Sequence, residues 1–288
     1  MKPFPNGISV CLSICTMILA ASCVKSTSPT VSGPETTNPP NSSYLSSIKN
    51  NTPLATLVDS FTYDNSNRLT KITIIPTNSS NSHLSGESTV TFSYSGSNTT
   101  PVSYIINNPN QSTSSHQLNY DGQNRITKDS TLDGTGLVTY WSYSNGNIVS
   151  ATKSGSSEQM IDTLFFTNGN VTANHSYIAN NAGTADTMLS SSQYTYTTIV
   201  NPCYHQAIAS TFGPLLNSLV IDGGFTDFVS GYAKSTATNS GFPGLQGLPP
   251  AQSTQTFDWT TDSKGRASIL KVTDSQIGTI GNLTFTYY

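Results

Sequence analysis

Few side chains in this sequence are of types that do chemistry, and their spacing decides what each could do. The four histidines (His83, His116, His175, His205) lie far apart, and none stands at a metal-ligand spacing from another histidine or a cysteine. Cys203 with His205 two residues on is the nearest approach to a nucleophile and its base, but no orienting third group can be named beside them. Asp222-Gly223-Gly224-Phe225-Thr226-Asp227 sets two carboxylates on a turn, too few acidic ligands for a calcium loop. No nucleophile elbow, phosphate-binding loop or dinucleotide fingerprint is present. The sequence therefore predicts no catalytic residue, no metal ligand and no cofactor, and a non-enzymatic chain.

What could hold such residues is constrained by composition. The chain has 288 residues, 12 Lys+Arg against 15 Asp+Glu, and only 9% charged residues. A typical domain carries about 25%. Ser, Thr and Asn together number 111. Three Glu and three Arg exclude a helical bundle or coiled coil, and a net charge of −3 excludes a nucleic-acid partner. Fourteen Tyr and eleven Phe give enough burial to exclude full disorder. A β-rich chain with an uncharged polar surface remains.

The first segment is a targeting signal. Lys2 precedes an apolar run, Ile8 to Ala21, too short to cross a bilayer as a helix. It ends in Leu19-Ala20-Ala21-Ser22-Cys23, which resembles the lipobox of bacterial lipoproteins with its leucine displaced by one place. The resemblance implies a signal peptide over 1–22 and a lipid on Cys23. The chain would then be an envelope protein of the outer membrane, on its periplasmic or surface face, with the membrane as partner through that lipid. Residues 23–53, rich in Ser, Thr, Pro and Asn, read as a flexible tether, and 54–288 as the folded domain. Cys203 alone remains of the other cysteines, so disulfides do not hold the core.

Within the domain a unit recurs. Tyr63-Asp64 with Arg68-Leu69 matches Tyr120-Asp121 with Arg125-Ile126, and Phe257-Asp258-Trp259 through Lys264-Gly265-Arg266-Ala267 reads as a third copy with two extra turn residues. All three arginines occupy this slot. Aromatic anchors at 63, 94, 120, 143, 166, 196, 259 and 287 mark further units, most of them 23 to 31 apart. Aromatics two residues apart share a strand face, and Asp/Asn/Gly clusters supply tight turns, so each unit reads as a hairpin. Each arginine is expected to pair with the aspartate of its own repeat, in preference to lining an anion-binding stripe.

This unit resembles the YD repeat of the RHS family, and the whole chain resembles the YD-repeat-like lipoproteins of Gram-negative bacteria. The resemblance implies an antiparallel meander of hairpins in a curved or partly rolled sheet, with Tyr63, Asp64, Arg68, Tyr120, Asp121, Arg125, Trp259 and Arg266 as structural residues. Residues 201–250 break the pattern and are expected to form a helix and loop insertion, the helix interrupted at Gly213-Pro214, packed over one end or face of the sheet.

The leading functional expectation is thus a lipid-anchored, monomeric scaffold or binding module with an unknown glycan or protein ligand. One alternative is a carboxylate-dependent hydrolase acting on glycans. The other is a small outer-membrane β-barrel, suggested by the alternation of Leu283, Phe285 and Tyr287 with Thr284 and Thr286 at the end of the chain. Against the barrel stand strands that read as too short, and a lipid anchor that a barrel does not need.

Overall fold

In a computed structural model, residues 44–52, 56–77, 86–109, 113–144, 146–154, 157–179, 185–204, 208, 211–219, 228–241 and 252–288 are described. They form sixteen strands and one helix. The strands are β1 (Leu45–Asn51), β2 (Thr56–Tyr63), β3 (Leu69–Thr77), β4 (Ser88–Tyr94), β5 (Pro101–Asn107), β6 (Ser114–Tyr120), β7 (Ile126–Thr131) and β8 (Leu137–Ser144) in the first half. In the second half come β9 (Asn147–Ser154), β10 (Ser157–Thr167), β11 (Asn170–Ala179), β12 (Ala185–Val200), the helix α1 (Gly213–Leu219), β13 (Tyr232–Gly241), β14 (Gln252–Thr261), β15 (Ala267–Asp274) and β16 (Gly278–Tyr287). Every strand pairs antiparallel with its chain neighbours, and β1 pairs with β16, from Leu45 against Tyr287 to Asn51 against Asn282, to close a barrel.

The antiparallel meander with one short helix is therefore present, but the sheet does not stop at a partial roll. The expected curved sheet and the likeness to YD-repeat lipoproteins are both corrected by this closure. The closing strand β1 also lies inside the stretch read as tether, 23–53, so the folded part begins earlier than 54. The reason is physical: Leu45-Ser46-Ser47-Ile48 is too polar to announce a strand alone, yet it covers the edge that β16 would otherwise leave unpaired. The signal peptide and Cys23 lie outside the described residues.

Alternation sorts the strands cleanly. On β16, Leu283 and Phe285 are buried while Asn282, Thr284 and Thr286 are exposed. On β4, Val90 and Phe92 are buried while Thr91 and Ser93 are exposed, and on β14 Phe257 is buried between exposed Thr256 and Asp258. The apolar face is thus the lumen and the Thr/Ser/Asn face the exterior. Outward apolar residues such as Ile75, Ile105 and Ile269 are interspersed with Lys71, Thr91 and Lys271, while Tyr140, Ala151, Ile161, Tyr177 and Met188 lie side by side across β8 to β12.

A sixteen-strand barrel is too wide for its own side chains to fill. The segment between β12 and β13 supplies the missing volume. Phe212 packs on Phe92, Phe228 packs on Phe61, and Leu215 and Leu216 of α1 are fully buried in the same cluster. Backbone bonds stitch it to the wall: Ile126 donates to the Thr211 carbonyl at 3.0 Å, and Gly231 to that of Gly169 at 3.4 Å. The insertion is therefore an internal plug at one end, not a cover over the sheet. It is also shorter than 201–250, because Tyr232–Gly241 is a barrel strand. The helix α1 begins at Gly213-Pro214, after a turn at Thr211-Phe212 that follows the helical Ile208, so a break lies just ahead of the expected Gly213-Pro214, and proline suits a helix's first turn. Residues 242–250, read as loop, lie outside the described residues.

Candidate functional site

The two ends of the lumen differ in chemistry. Following several inward columns away from the plugged end, the side chains turn from aromatic to polar: Tyr120, Leu118, His116, Ser114 on β6; Tyr143, Trp141, Thr139 on β8; Phe166, Leu164, Asp162 on β10.

At the plugged end sit the residues singled out in the sequence. Asp64 and Arg68 share one turn: Asp64 Oδ1 accepts from the Ser66 and Arg68 amides at 2.8 and 2.9 Å, while Oδ2 takes the Arg68 Nε–H at 2.7 Å. Asp121 repeats this with Gln123 and Arg125. Asp262 repeats it with Lys264 and Arg266, so Arg266 pairs with Asp262 and not with the Asp258 of the expected third copy. The turn carries no extra residues: its register follows Asp262, four residues before the arginine, and not Trp259. Positive φ at Asn67, Asn124 and Gly265, the residue before each arginine, closes the loop.

Each guanidinium then reaches the next hairpin. Arg68 lies over Tyr94 at 4.7 Å, Arg125 over Tyr143 at 4.3 Å, and Arg266 over Tyr287 at 4.3 Å. The same tyrosines donate their hydroxyls to the Leu69, Ile126 and Ala267 carbonyls at 2.7, 2.6 and 2.7 Å. The residues following the arginines are thus held between neighbouring hairpins by an Asp–Arg–Tyr latch. The carboxyls of Asp64 and Asp262 lie below the usual range because the amides of Arg68 and Arg266 donate to them. At Asp121 burial opposes ionisation, and the Arg125 side chain and amide outweigh it. The arginines are committed to structure and form no anion stripe. Tyr63 and Tyr120 are half-buried against the core, Tyr63 beside Tyr44 at 5.0 Å, and burial raises both hydroxyls. Trp259 stacks on Phe285 at 5.6 Å and donates Nε1–H to the Lys234 carbonyl at 2.7 Å.

Cys203 is buried and lines a small cavity of about 20 Å³ with Tyr63, Leu69 and Phe228, room for about one water. Its partner from the sequence, His205, lies outside the described residues, as do Asp222–Asp227 and His83. Among the described residues no three potential ligands converge as a metal site.

The polar half of the lumen holds what sequence reading missed. His116 stacks on Tyr104 at 4.2 Å, and its Nδ1 stands 3.0 Å from Asp129 Oδ1. Tyr104 donates to Asp129 Oδ2 at 2.5 Å. On the other side of the imidazole, Nε2 is 2.8 Å from Ser114 Oγ, and Ser114 Oγ is 3.2 Å from Asp133 Oδ2. Asp133 is held ionised by the Thr135 amide and hydroxyl. Further round the wall, Ser176 donates to the buried Asp162, whose pKa burial pushes up to about 6 against that bond. Ser114 and His116 are two apart on one strand, a signal the sequence carried. Asp129 came from a facing strand, and nothing in the sequence joined it to them.

No protein-family model matches the chain, and no curated protein matches it. Solved structures do. The chain is similar to a porin-like protein of Bacteroides uniformis ATCC 8492, with a TM-score of 0.54, 17% identity, and coverage of 86% of this chain and 99% of that one. It is similar also to a porin-like protein of Bacteroides vulgatus ATCC 8482, with a TM-score of 0.52, 12% identity, and coverage of 85% and 99%. At these identities the likeness is one of fold: it agrees with the closed barrel and again sets aside the YD/RHS resemblance.

Proposed function

We propose that this chain is a plugged β-barrel of the bacterial outer membrane that stands in water beside the bilayer and serves as a binding or scaffold module. The observation that carries this is the direction of its two faces. A barrel that spans lipid shows an apolar band outwards and a polar interior. Here much of the described exterior is Thr, Ser, Asn and Lys, with one apolar row across β8 to β12, while the apolar residues and the plug fill the lumen's near half. Each unpaired Lys or Thr hydroxyl placed in hydrocarbon would cost free energy, most for charges at the midplane. Attachment then falls to the lipid on Cys23, several acyl chains of which would hold the protein durably. In this reading the chain is not a turnover enzyme, and its polar lumen half is the surface a ligand would meet.

The comparisons favour the other reading, a barrel inserted in the outer membrane: the sheet closes with sixteen strands, and the two neighbours named above are porin-like by name. Cys23→Ala separates the two. A water-standing barrel leaves the membrane fraction when Cys23 is replaced; an inserted one stays. Retention of the variant in carbonate-washed membranes, with steady conductance in planar bilayers, would overturn the proposal.

A further inference from the structure

Ser114, His116 and Asp129 stand in the order and at the spacing of a nucleophile, its base and the group that orients the base. Contacts of 2.8 Å at Nε2 and 3.0 Å at Nδ1 lie within hydrogen-bond reach on both sides of one imidazole. With the Nδ1 proton directed to the Asp129 carboxylate, Nε2 is left as the acceptor facing the serine hydroxyl. The relay is braced. Asp129 Oδ2 is held by the Tyr104 hydroxyl, the ring is stacked at 18° on Tyr104, and His116 and Asp129 are both buried. Ser114, the first residue of β6, is only half-buried. The four residues come from β5, β6 and β7, adjacent walls whose registers (Tyr104 opposite His116, His116 opposite Thr131) fix their inward faces.

We propose that Ser114 is a reactive nucleophile in the polar half of the lumen, activated by His116 and Asp129, that accepts acyl groups from activated esters and phosphonyl groups from phosphonyl fluorides. In the step, Ser114 Oγ bonds to the electrophilic carbon or phosphorus while His116 Nε2 takes the hydroxyl proton. The bond to the leaving group then breaks, and that group, the ester oxygen of an acyl donor or the fluoride of a fluorophosphonate, departs with the proton from Nε2. Asp133 tempers the reaction, since its carboxylate competes with His116 for the serine proton and repels negative charge building beside it. The expected chemistry is therefore stoichiometric modification of Ser114 more than rapid turnover. This goes beyond the scaffold reading and does not depend on it: the label is read on the full-length protein wherever that protein fractionates.

The test is labelling of the purified full-length protein in detergent with a fluorophosphonate, mapped by peptide mass spectrometry. Label on Ser114 is expected, with none on the outward-facing neighbour Ser115. His116→Gln and Asp129→Asn should each slow labelling at least about tenfold, given what a positioned base contributes, and Asp133→Asn should speed it severalfold. Asp129→Asn keeps the shape of the buried network, so it also reads the relay if His116→Gln fails to fold. Absence of label on Ser114, or a labelling rate untouched by Asp129→Asn in a folded protein, would overturn the assignment.

Discussion

Replacing Arg125 with alanine tests whether the Asp–Arg–Tyr latch, and not the turn alone, ties neighbouring hairpins together. Arg125 Nε and a terminal guanidinium nitrogen approach Asp121 Oδ2 at 2.7 and 2.6 Å, and the guanidinium covers Tyr143 at 4.3 Å. The Arg125 and Asp121 side chains are 17% and 20% exposed, so solvent screens the ion pair and it contributes about 1 kcal/mol. The stacked cation adds about 0.5–1 kcal/mol, which brings the loss for Arg125→Ala to about 2 kcal/mol. For a chain of this size that lowers Tm by roughly 4–8 °C. Tyr143→Phe keeps the stack but removes the donor to the Ile126 carbonyl, and should cost about 1 kcal/mol. Thermal melts of Arg125→Ala, Tyr143→Leu and the double variant close a cycle. A coupling of about 0.5–1 kcal/mol is expected between guanidinium and ring. If the two changes add without coupling, and Arg125→Lys matches the parent, the arginine acts within its own turn and the latch does not exist.

The remaining expectations concern the plug and the buried acid. Leu216→Ala empties a fully buried position in α1 and should cost about 2–5 kcal/mol by urea titration; a loss below about 1 kcal/mol would mean the plug is not packed in the lumen. Gly213→Ala would bring a methyl to 2.9 Å from the Phe228 carbonyl oxygen, so it should destabilise by about 1–3 kcal/mol, where a helical glycine in open space would gain from alanine. Asp162 has a folded pKa raised to about 6 from 3.8, so it is tolerated while protonated and penalises folding as pH rises through that window. Asp162→Asn should therefore match the parent below about pH 4 and exceed it by about 3 kcal/mol above pH 6.5. A stability difference that does not change with pH would refute that assignment. Asp64, Asp121 and Asp262, with lowered pKa values, work in the opposite sense: their contribution is present above 3.8 and is lost as pH falls below it.

Much of the local structure is written in nearest neighbours. Thr91 between Val90 and Phe92, or Thr284 between Leu283 and Phe285, fixes which face of a strand is wet whatever the strand joins. Asp121 through Arg125 encodes its own turn, because the carboxylate, the two amides and the guanidinium it binds all lie within five residues. The eight aromatic anchors fall on the eight even-numbered strands, β2 to β16, because a hairpin repeat is a local object.

Closure, the plug and the relay depend on residues far apart in the chain. Whether a hairpin array stays open or closes depends on its accumulated twist and on a partner for its last edge, and Leu45–Asn51 meets β16 from more than two hundred residues away. The lumen's width then decides where the described residues between β12 and β13 go: sixteen strands leave a void that Phe212, Leu216 and Phe228 fill. Asp129 reaches His116 only because β6 and β7 pair in one register, so a residue unremarkable in the sequence orients a buried imidazole. The sequence alone determined the sidedness of each strand and the chemistry of each turn, since both arise from contacts within a few residues. Only the tertiary structure decided that the wet face is outside, that the apolar face encloses a plug, and that Ser114, His116 and Asp129 meet.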